Sequence, residues 1–284
     1  MKPFEYYSPQ SVAEACSLLT TLGSSAKLLA GGTDLLIEMR TAAEELTGSI
    51  VDISRIPALK GIEESGDAII IKPLTTHAEI LRSPIVSTFA PLLKTAVSRI
   101  GSPQIRNRGT IGGNIMNAAA CADTVPPLVA LGASVKLQSS AGSRDVMLSE
   151  FFTEPYVTIA ERGEVLVEVR FPKLPPDARS SFIKLGRRNA LSISRLSIAA
   201  ILVRDQFGLI TDARIVPGAA LPKWQRVSEA ENFLIGQKPS RDVFTEAGRK
   251  VSEVMISFTG RRWSTEYKEP VIAVLVRRAL EACR

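Results

Sequence analysis

The sequence predicts a mixed α/β fold in its N-terminal part and an α+β arrangement, an antiparallel sheet with helices, in its C-terminal part. Strand-like apolar runs alternate with helical runs up to residue 171. Prolines then interrupt the segment 172–177, where missing N–H donors and fixed φ angles prevent a strand from continuing. Three strand-like runs and then three helical runs follow it. We therefore expect two domains, residues 1–174 and 178–284, joined by a linker.

The N-terminal elements follow from apolar spacing and turn residues. Thr76 and Glu79 have the spacing of a capping box at the start of a helix. Residues 101–117, rich in Gly, Asn and Arg, predict a loop with little regular structure. The other predicted elements are strand 4–7, a helix after Ser8-Pro9, strand 27–30, helix 34–39, strands 49–53 and 68–72, helices 91–100 and 123–131, and strands 135–138 and 165–171.

The C-terminal part has a simpler predicted order. Its three strands are expected to form one antiparallel sheet. The predicted elements are strands 181–185, 197–205 and 212–216, followed by helices 230–234, 243–255 and 270–282.

Composition excludes several classes of protein. Hydrophobic residues make up 45% of the 284, enough for a packed core, but no run approaches the roughly 18 apolar residues of a membrane helix. Pro3 and Glu5 stand where a signal peptide has an apolar stretch, so a soluble cytoplasmic protein is expected. The three cysteines lie far apart and the single histidine is His77, so the roughly four close ligands of a zinc site or iron–sulfur cluster are missing.

The net charge of +6 is spread over short basic pairs such as Arg187-Arg188 and Arg261-Arg262. No block of five or more like charges occurs, and aromatic residues are only 6% of the chain. Nucleic-acid-binding proteins usually have a denser basic stripe or an aromatic platform. We therefore expect no nucleic-acid partner and assign the charge to solvated surface and subunit contacts.

A first glycine pair, Gly31-Gly32, ends an apolar strand and precedes a helix. Adjacent glycines let backbone N–H groups approach an anion, and the helix N-terminus adds free donors and partial positive charge. The alternative is an ordinary tight turn capped by Asp34, and the motif is neither a Walker A loop nor a GxGxxG fingerprint. The candidate pyrophosphate cradle comprises Leu28, Leu29, Ala30, Gly31, Gly32, Thr33, Asp34 and Leu35.

A second glycine pair, Gly112-Gly113, lies among small hydrogen-bonding side chains. Thr110, Asn114 and Asn117 can pair with phosphate, ribose or ribityl groups, and Asp123 can accept from sugar hydroxyls. The alternative makes both asparagines turn residues and Asp123 the N-cap of the next helix. Two such loops in one chain fit a long dinucleotide held at both ends.

The motifs AGGTDL at 30–35, TTHAEI at 75–80 and RGTIGGN at 108–114 stand in a fixed order and spacing. In this arrangement they resemble the FAD-binding medium subunits of molybdopterin dehydrogenases. This family includes the flavoproteins of xanthine, carbon monoxide and nicotinate dehydrogenases. Residues 101–107 and the segment around Trp263 lean toward bacterial xanthine dehydrogenase subunits. The resemblance covers nearly the whole chain, with matching segments at 30–35 (AGGTDL), 75–80 (TTHAEI), 108–114 (RGTIGGN), 182–188 and 265–268.

The resemblance implies a PCMH-like FAD-binding domain of two α/β subdomains, about 1–57 and 58–174, and an α+β C-terminal domain, with the flavin between the two domains. The first glycine loop would hold the pyrophosphate, and the second loop the other side of the cofactor. Taken alone, Leu166 fits a core position and Lys184 a surface one. The further implied FAD contacts are Ile100, Thr110, Ile111, Gly112, Gly113, Asn114, Asp123, Leu166 and Lys184.

The function implied by the resemblance is electron transfer in a molybdenum hydroxylase complex. A molybdopterin-binding large subunit would oxidise the substrate, and a small subunit would relay electrons through two [2Fe–2S] clusters. FAD on this chain would pass them to NAD⁺ or another acceptor, and no side chain here need act as acid, base or nucleophile. The complex would be a dimer of heterotrimers.

Two alternatives differ in what happens to FAD. A stand-alone FAD oxidase often tethers the flavin through His or Cys, and neither glycine loop contains a histidine. A non-catalytic module would have lost FAD, and both glycine loops are intact. Some relatives carry a cluster-binding cysteine loop, but Cys121 has no companion and is expected to pack as a small side chain. His77 is expected to cap or pack near Thr75 rather than to act as an acid or base.

Overall fold

A three-stranded parallel sheet opens the chain. The structure, a computed structural model, describes residues 3–41, 48–188 and 191–283. The strands β1 (Glu5–Tyr7), β2 (Ala26–Leu29) and β3 (Ser49–Asp52) lie in the order β1-β3-β2. Helix α1 (Val12–Leu22) connects β1 to β2, and helix α2 (Leu35–Thr41) follows β2. Because the strands are parallel, the segments that leave their carboxyl ends lie at one edge of the sheet.

A five-stranded antiparallel sheet follows, in the order β4-β5-β10-β6-β7. Its central strands are buried, so they carry the apolar residues that the sequence pattern detected. The described strands of this region are β4 (Ile62–Ser65), β5 (Ala68–Ile71), β6 (Ser134–Ser139), β7 (Gly142–Met147) and β10 (Val165–Pro172), with a small ribbon of β8 (Phe152–Glu154) and β9 (Val157–Thr158).

Six short helices lie between β5 and β6. The capping box predicted at Thr76 is confirmed: its hydroxyl accepts from the Glu79 N–H at 3.2 Å, and the Glu79 carboxylate accepts from the Thr76 N–H at 2.7 Å. The helices are α3 (His77–Arg82), α4 (Pro84–Phe89), α5 (Pro91–Ser98), α6 (Pro103–Arg108), α7 (Ile111–Asn117) and α8 (Val125–Ala130).

The prediction of a loop over residues 101–117 was wrong, because α6 and α7 occupy most of it. Ser102 caps α6 by accepting from the Ile105 N–H, and Pro103 stands at the first helical position, where its missing N–H costs nothing. Thr110 caps α7 in the same way. Glycines inside a first turn suggest a loop by propensity, yet two side-chain caps and tertiary packing outweigh that preference.

The C-terminal sheet is antiparallel, as predicted. It consists of β11 (Arg179–Leu185), β12 (Leu196–Arg204) and β13 (Ile210–Gly218), and its helices are α9 (Ser228–Leu234), α10 (Arg241–Thr259) and α11 (Thr265–Glu281). One face of the sheet, with Phe182 and Ala199, packs into the core of the five-stranded sheet. The other face, with Ile198 and Ala200, packs against α10 and α11.

The predicted fold class is confirmed: a mixed α/β part precedes an antiparallel sheet with helices. The domain limits at 174 and 178, and the subdomain limit near 57, stay predictions. Pro172 is the last residue of β10, where it pairs with Ala68, so the proline-rich segment begins one residue inside the sheet. In the part of the chain that the structure describes, no helix has the length and apolar character to cross a membrane.

Candidate functional site

A cleft of about 450 Å³ brings the two glycine loops together. One wall is the segment between β2 and α2, and the other is the start of α7. Residues of both predicted loops line it: Leu28, Ala30, Gly31, Gly32, Thr33, Asp34, Leu35, Thr110, Gly112, Gly113 and Asn114. Ile100 and Leu166, the predicted apolar contacts, line the same cleft.

The first glycine loop carries free backbone donors. The N–H groups of Gly31, Gly32, Thr33 and Asp34 make no hydrogen bond to any residue that the structure describes. These residues are half-buried or exposed, so water or a ligand can reach them. Gly32 has a φ of +75°, which a residue with a side chain rarely adopts, and this lets the chain turn at the end of the strand. Unpaired N–H groups in a row suit a phosphate group.

The two glycines of the second loop have no such free donors, although the Thr110 N–H makes no hydrogen bond to any residue that the structure describes. The Gly112 N–H donates to the Pro73 carbonyl at 2.9 Å, and the Gly113 N–H donates to the Thr110 hydroxyl at 3.1 Å. The Asn114 N–H donates to the Thr110 carbonyl, and the Asn114 side-chain oxygen accepts from Thr124 at 2.6 Å. This loop therefore presents a small, pre-formed surface to the cleft, and the first loop presents the anion donors.

Close backbone contacts explain why two of the glycines are required. A Cβ atom on Gly31 would lie 2.0 Å from the carbonyl oxygen of Arg108, so this glycine lets the two loops touch. A Cβ on Gly112 would lie 2.5 Å from Pro73. The loops are also joined by a side-chain bond, because the Asn117 amide donates to the Asp34 carboxylate at 3.2 Å.

Asp123 and Lys184 form a buried ion pair beside the cleft rather than part of its lining. Lys184 Nζ donates to Asp123 Oδ2 at 2.7 Å and to the Arg99 carbonyl at 3.0 Å. Ser194 donates to the second carboxylate oxygen at 2.5 Å. Burial raises the pKa of the Asp123 carboxyl, while the neighbouring Lys184 acts in the opposite direction. Asp123 is not the N-cap of α8, because Thr124 occupies that position.

Leu29 and Ile111 are also absent from the lining, so together with Asp123 and Lys184 they stay predicted contacts only. The structure adds lining residues that the sequence did not indicate. They come from separate elements far apart in the chain, so no local pattern brings them together. They are Lys27, Glu38, Ile53, Pro73, Leu74, His77, Ile105 and Val165. Asn117, a predicted member of the second glycine loop, also lines the cleft, as do Gly109 and Met116 of the same segment.

His77 is the one titratable ring in this lining. It is only 2% exposed, and burial together with the nearby Arg106 charge lowers the pKa of the imidazole to about 4. Its backbone N–H donates to the Gly109 carbonyl at 3.0 Å, and a bridge between Thr76 and Thr110 brings α3 beside the second loop. The sequence drew attention to His77 because it lies within the motif 75–80. It did not indicate that the side chain would line the cleft.

Three observations test whether this site fits FAD. The free N–H groups of residues 31–34 match a diphosphate. Gly113 has no side chain and leaves room for the cofactor on the cleft side of the second loop. A Cβ atom at this position would have only the Thr110 hydroxyl within 4 Å. Ile100 and the buried Leu166 supply an apolar end for a flat ring. The residues present therefore fit a flavin dinucleotide.

Two family models match the chain. Residues 2–174 match the FAD binding domain in molybdopterin dehydrogenase, and residues 181–283 match the CO dehydrogenase flavoprotein C-terminal domain. The chain belongs to this family. It is the FAD-binding subunit of a molybdenum hydroxylase, an oxidoreductase of the molybdopterin dehydrogenase family.

Individual relatives agree with this assignment. The chain is 34% identical over 281 residues to the carbon monoxide dehydrogenase medium chain of Hydrogenophaga pseudoflava, covering 98% of this chain and 96% of that one. It is 31% identical over 277 residues to the xanthine dehydrogenase FAD-binding subunit of Escherichia coli O157:H7, covering 97% of this chain and 94% of that one. That the chain belongs to a xanthine dehydrogenase in particular stays a prediction, since both kinds of relative match at comparable identity.

A solved structure shows the same fold. The carbon monoxide dehydrogenase from Hydrogenophaga pseudoflava that lacks the Mo-pyranopterin moiety matches with a TM-score of 0.91 and 34% identity, over 100% of this chain and 98% of that one. The predicted family and cofactor are thereby confirmed. In the described ranges, no group of three or more His, Cys, Asp or Glu side chains is placed to hold a metal ion, and Cys16, Cys121 and Cys283 are free thiols.

Proposed function

We propose that this chain holds FAD in the cleft and is the electron-transferring subunit of its complex, with NAD⁺ as the electron acceptor. The observation that carries the proposal is the row of unpaired N–H groups from Gly31 to Asp34 at a cleft closed by a second glycine loop. When bound, FAD supplies an isoalloxazine ring that takes up and releases one or two electrons.

Each part of the cleft would have its own task. The N–H groups of residues 31–34 would donate to the pyrophosphate, and the bare Gly113 would leave space for the chain of the cofactor. Ile100 and Leu166 would contact the ring and exclude water from it. Leu29, Ile111, Asp123 and Lys184 remain proposed contacts. Lys184 supports the lining from behind, because it bonds to the carbonyl of Arg99, next to Ile100.

The proposed partners are a molybdopterin-binding large subunit and a small subunit with two [2Fe–2S] clusters, assembled as a dimer of heterotrimers. In support, a relative of 34% identity is named as the medium chain of its enzyme, and the matching solved structure is of an enzyme whose cofactor contains a Mo-pyranopterin. The single histidine and three separated cysteines of this chain are consistent with metal chemistry on other chains. The substrate would bind to the large subunit.

The test of FAD binding uses the purified chain, FAD and desalting, followed by the visible spectrum. Wild type is expected to retain the flavin band, and Gly32→Asp and Gly113→Asp to lose it, because a carboxylate in the cleft repels the pyrophosphate. Gly66→Asp is the matched control: Gly66 also has a positive φ, of +60°, but it lies exposed in the turn between β4 and β5. Equal loss in all three variants would indicate misfolding rather than a site.

The complex from the native host tests the rest of the proposal. We expect it to contain FAD, molybdenum and iron, and to reduce NAD⁺ when its substrate is added. A flavin that stays on the chain after denaturation would favour a tethered, stand-alone oxidase. A complex without flavin would contradict the proposal, and reduction of dyes but not of NAD⁺ would contradict the choice of acceptor.

A further inference from the structure

We infer that His77 is a further binding residue of the cleft, a neutral imidazole whose Nε2–H donates a hydrogen bond to a phosphate or hydroxyl oxygen of the bound dinucleotide. The assignment rests on the proposed function, because it takes the occupant of the cleft to be FAD. It adds a side-chain donor beside Gly109 of the second glycine loop.

The position of the ring is fixed by its surroundings. His77 is the first residue of α3, and the capping box at Thr76 holds this helix end in place. The Cδ2–Nε2 edge of the ring lies against the second loop, since a Cβ on Gly109 would be 3.1 Å from Cδ2 and 3.4 Å from Nε2. The Nδ1 atom is on the opposite edge. A ring held in this way has little freedom to turn.

The two ring nitrogens differ in their access to the cleft. Nδ1 is fully buried and has no hydrogen-bond partner among the described residues. Nε2 also makes no hydrogen bond within the described chain, yet it is not among the fully buried unpaired atoms. Because His77 lines the cleft, Nε2 is the nitrogen through which the small exposed part of the ring reaches it.

The burial of Nδ1 decides where the proton resides. A neutral imidazole carries one N–H, on either nitrogen. On Nδ1 this N–H would be a buried donor without an acceptor, which folded proteins rarely tolerate. On Nε2 it faces water or a ligand oxygen. The pKa of about 4 and the nearby charge of Arg106 keep the ring neutral near pH 7. The ring therefore offers the cleft one N–H donor and no charge.

The chain has a single histidine, so selective ¹⁵N-histidine labelling gives two ring-nitrogen resonances that need no assignment by mutation. We expect the full-length chain to show unprotonated Nδ1 and protonated Nε2. Saturating FAD should move the Nε2–H proton downfield and slow its exchange with water. If the chain takes up FAD and becomes yellow but the ring-nitrogen signals of His77 do not change, the inference about His77 is wrong, whereas the proposed function is unaffected. A chain that takes up no FAD would overturn the proposed function, and this inference with it.

Two variants supply a second test. His77→Leu removes the donor without leaving an unpaired polar atom, and His77→Gln restores an N–H donor of similar reach. We expect His77→Leu to weaken FAD binding about ten-fold, and His77→Gln to recover most of it, because one hydrogen bond contributes on that order. Equal affinity of His77→Leu and wild type, with both folded by circular dichroism, would show that His77 only packs.

Discussion

Lys184 Nζ lies 2.7 Å from Asp123 Oδ2, with only 9% and 6% of the two side chains exposed. Lys184 is on β11 of the C-terminal sheet, and Asp123 precedes α8 beside the cleft. Ser194 and the Arg99 carbonyl complete the hydrogen bonds of the pair. The pair thus fixes the C-terminal sheet against the segment that carries the apolar end of the cleft.

Removing one member of this pair should be strongly destabilising. We expect Lys184→Met to lower the free energy of unfolding by roughly 3 kcal/mol or more, because it leaves a buried carboxylate without its partner. Lys184→Met with Asp123→Leu should recover a large part of the loss. Urea unfolding measures both. As a control, Lys27→Met removes an exposed pair with Glu38 and should cost under about 1 kcal/mol. Equal losses at the two sites would contradict the importance of burial.

Alanine at two cleft glycines should have unequal effects on stability. Gly31→Ala places a methyl group 2.0 Å from the Arg108 carbonyl oxygen and should cost roughly 1–3 kcal/mol as the loops move apart. Gly113→Ala meets only the Thr110 hydroxyl, at 2.9 Å, so the helix-propensity gain of up to about 1 kcal/mol is opposed by strain in the cap, and the net change should be smaller than at Gly31. Thermal unfolding compares them. Both should weaken FAD binding, so a stable Gly113→Ala chain with normal FAD affinity would argue against the cleft.

His77 should make stability depend on pH in a defined window. Its pKa is about 4 in the folded chain and near 6.5 when unfolded, so between these values the unfolded chain binds more protons. The free energy of unfolding should therefore fall as pH decreases from 6.5 to 4, by up to about 3 kcal/mol from this group. The difference between wild type and His77→Gln in urea unfolding isolates the contribution. A difference that is constant with pH would show that the ring titrates normally.

Thr110 should act as a helix cap whether or not it also contacts FAD. Its hydroxyl accepts from the Gly113 N–H, so Thr110→Ala should cost about 1 kcal/mol, while Thr110→Ser keeps the cap. Thr95→Ala is the control, since Thr95 is an exposed helix residue whose hydroxyl bonds back to Pro91 and caps nothing. Urea unfolding compares the three variants, and an equal loss in Thr110→Ser and Thr110→Ala would show that the hydroxyl does not cap the helix.

Local signals in the sequence predicted much of the fold. The capping box of Thr76 and Glu79 spans four residues, and the predicted strands have apolar runs that identify them without knowledge of the rest of the chain. The strands β4, β7, β8 and β9 have no such run and were not predicted. The helices α6 and α7 could not be predicted in this way. Their caps, Ser102 and Thr110, stand next to glycine-rich sequence whose propensity indicates a loop. The need for glycine at position 112 comes from its contact with Pro73, which is distant in the sequence.

The site was predicted as two loops, and the structure brings them together as one cleft. What could not be predicted were contacts between residues far apart in the sequence. Asp123 and Lys184 were both expected at the cofactor, but nothing local indicates that they pair with each other. His77 lies beside Gly109 only because α3 and the second loop meet at the Thr76–Thr110 bridge.

The two-faced sheet β11–β13 makes the halves of the chain depend on each other. A protease that cuts within residues 173–178 breaks one peptide bond but leaves Phe182 and Ala199 in the N-terminal core. The fragments should stay associated until the whole molecule unfolds. A deletion of either half would leave the other with an apolar face in water, a direct route to aggregation. Evolution can therefore exchange loops at the edges of this protein more easily than it can exchange one of its halves.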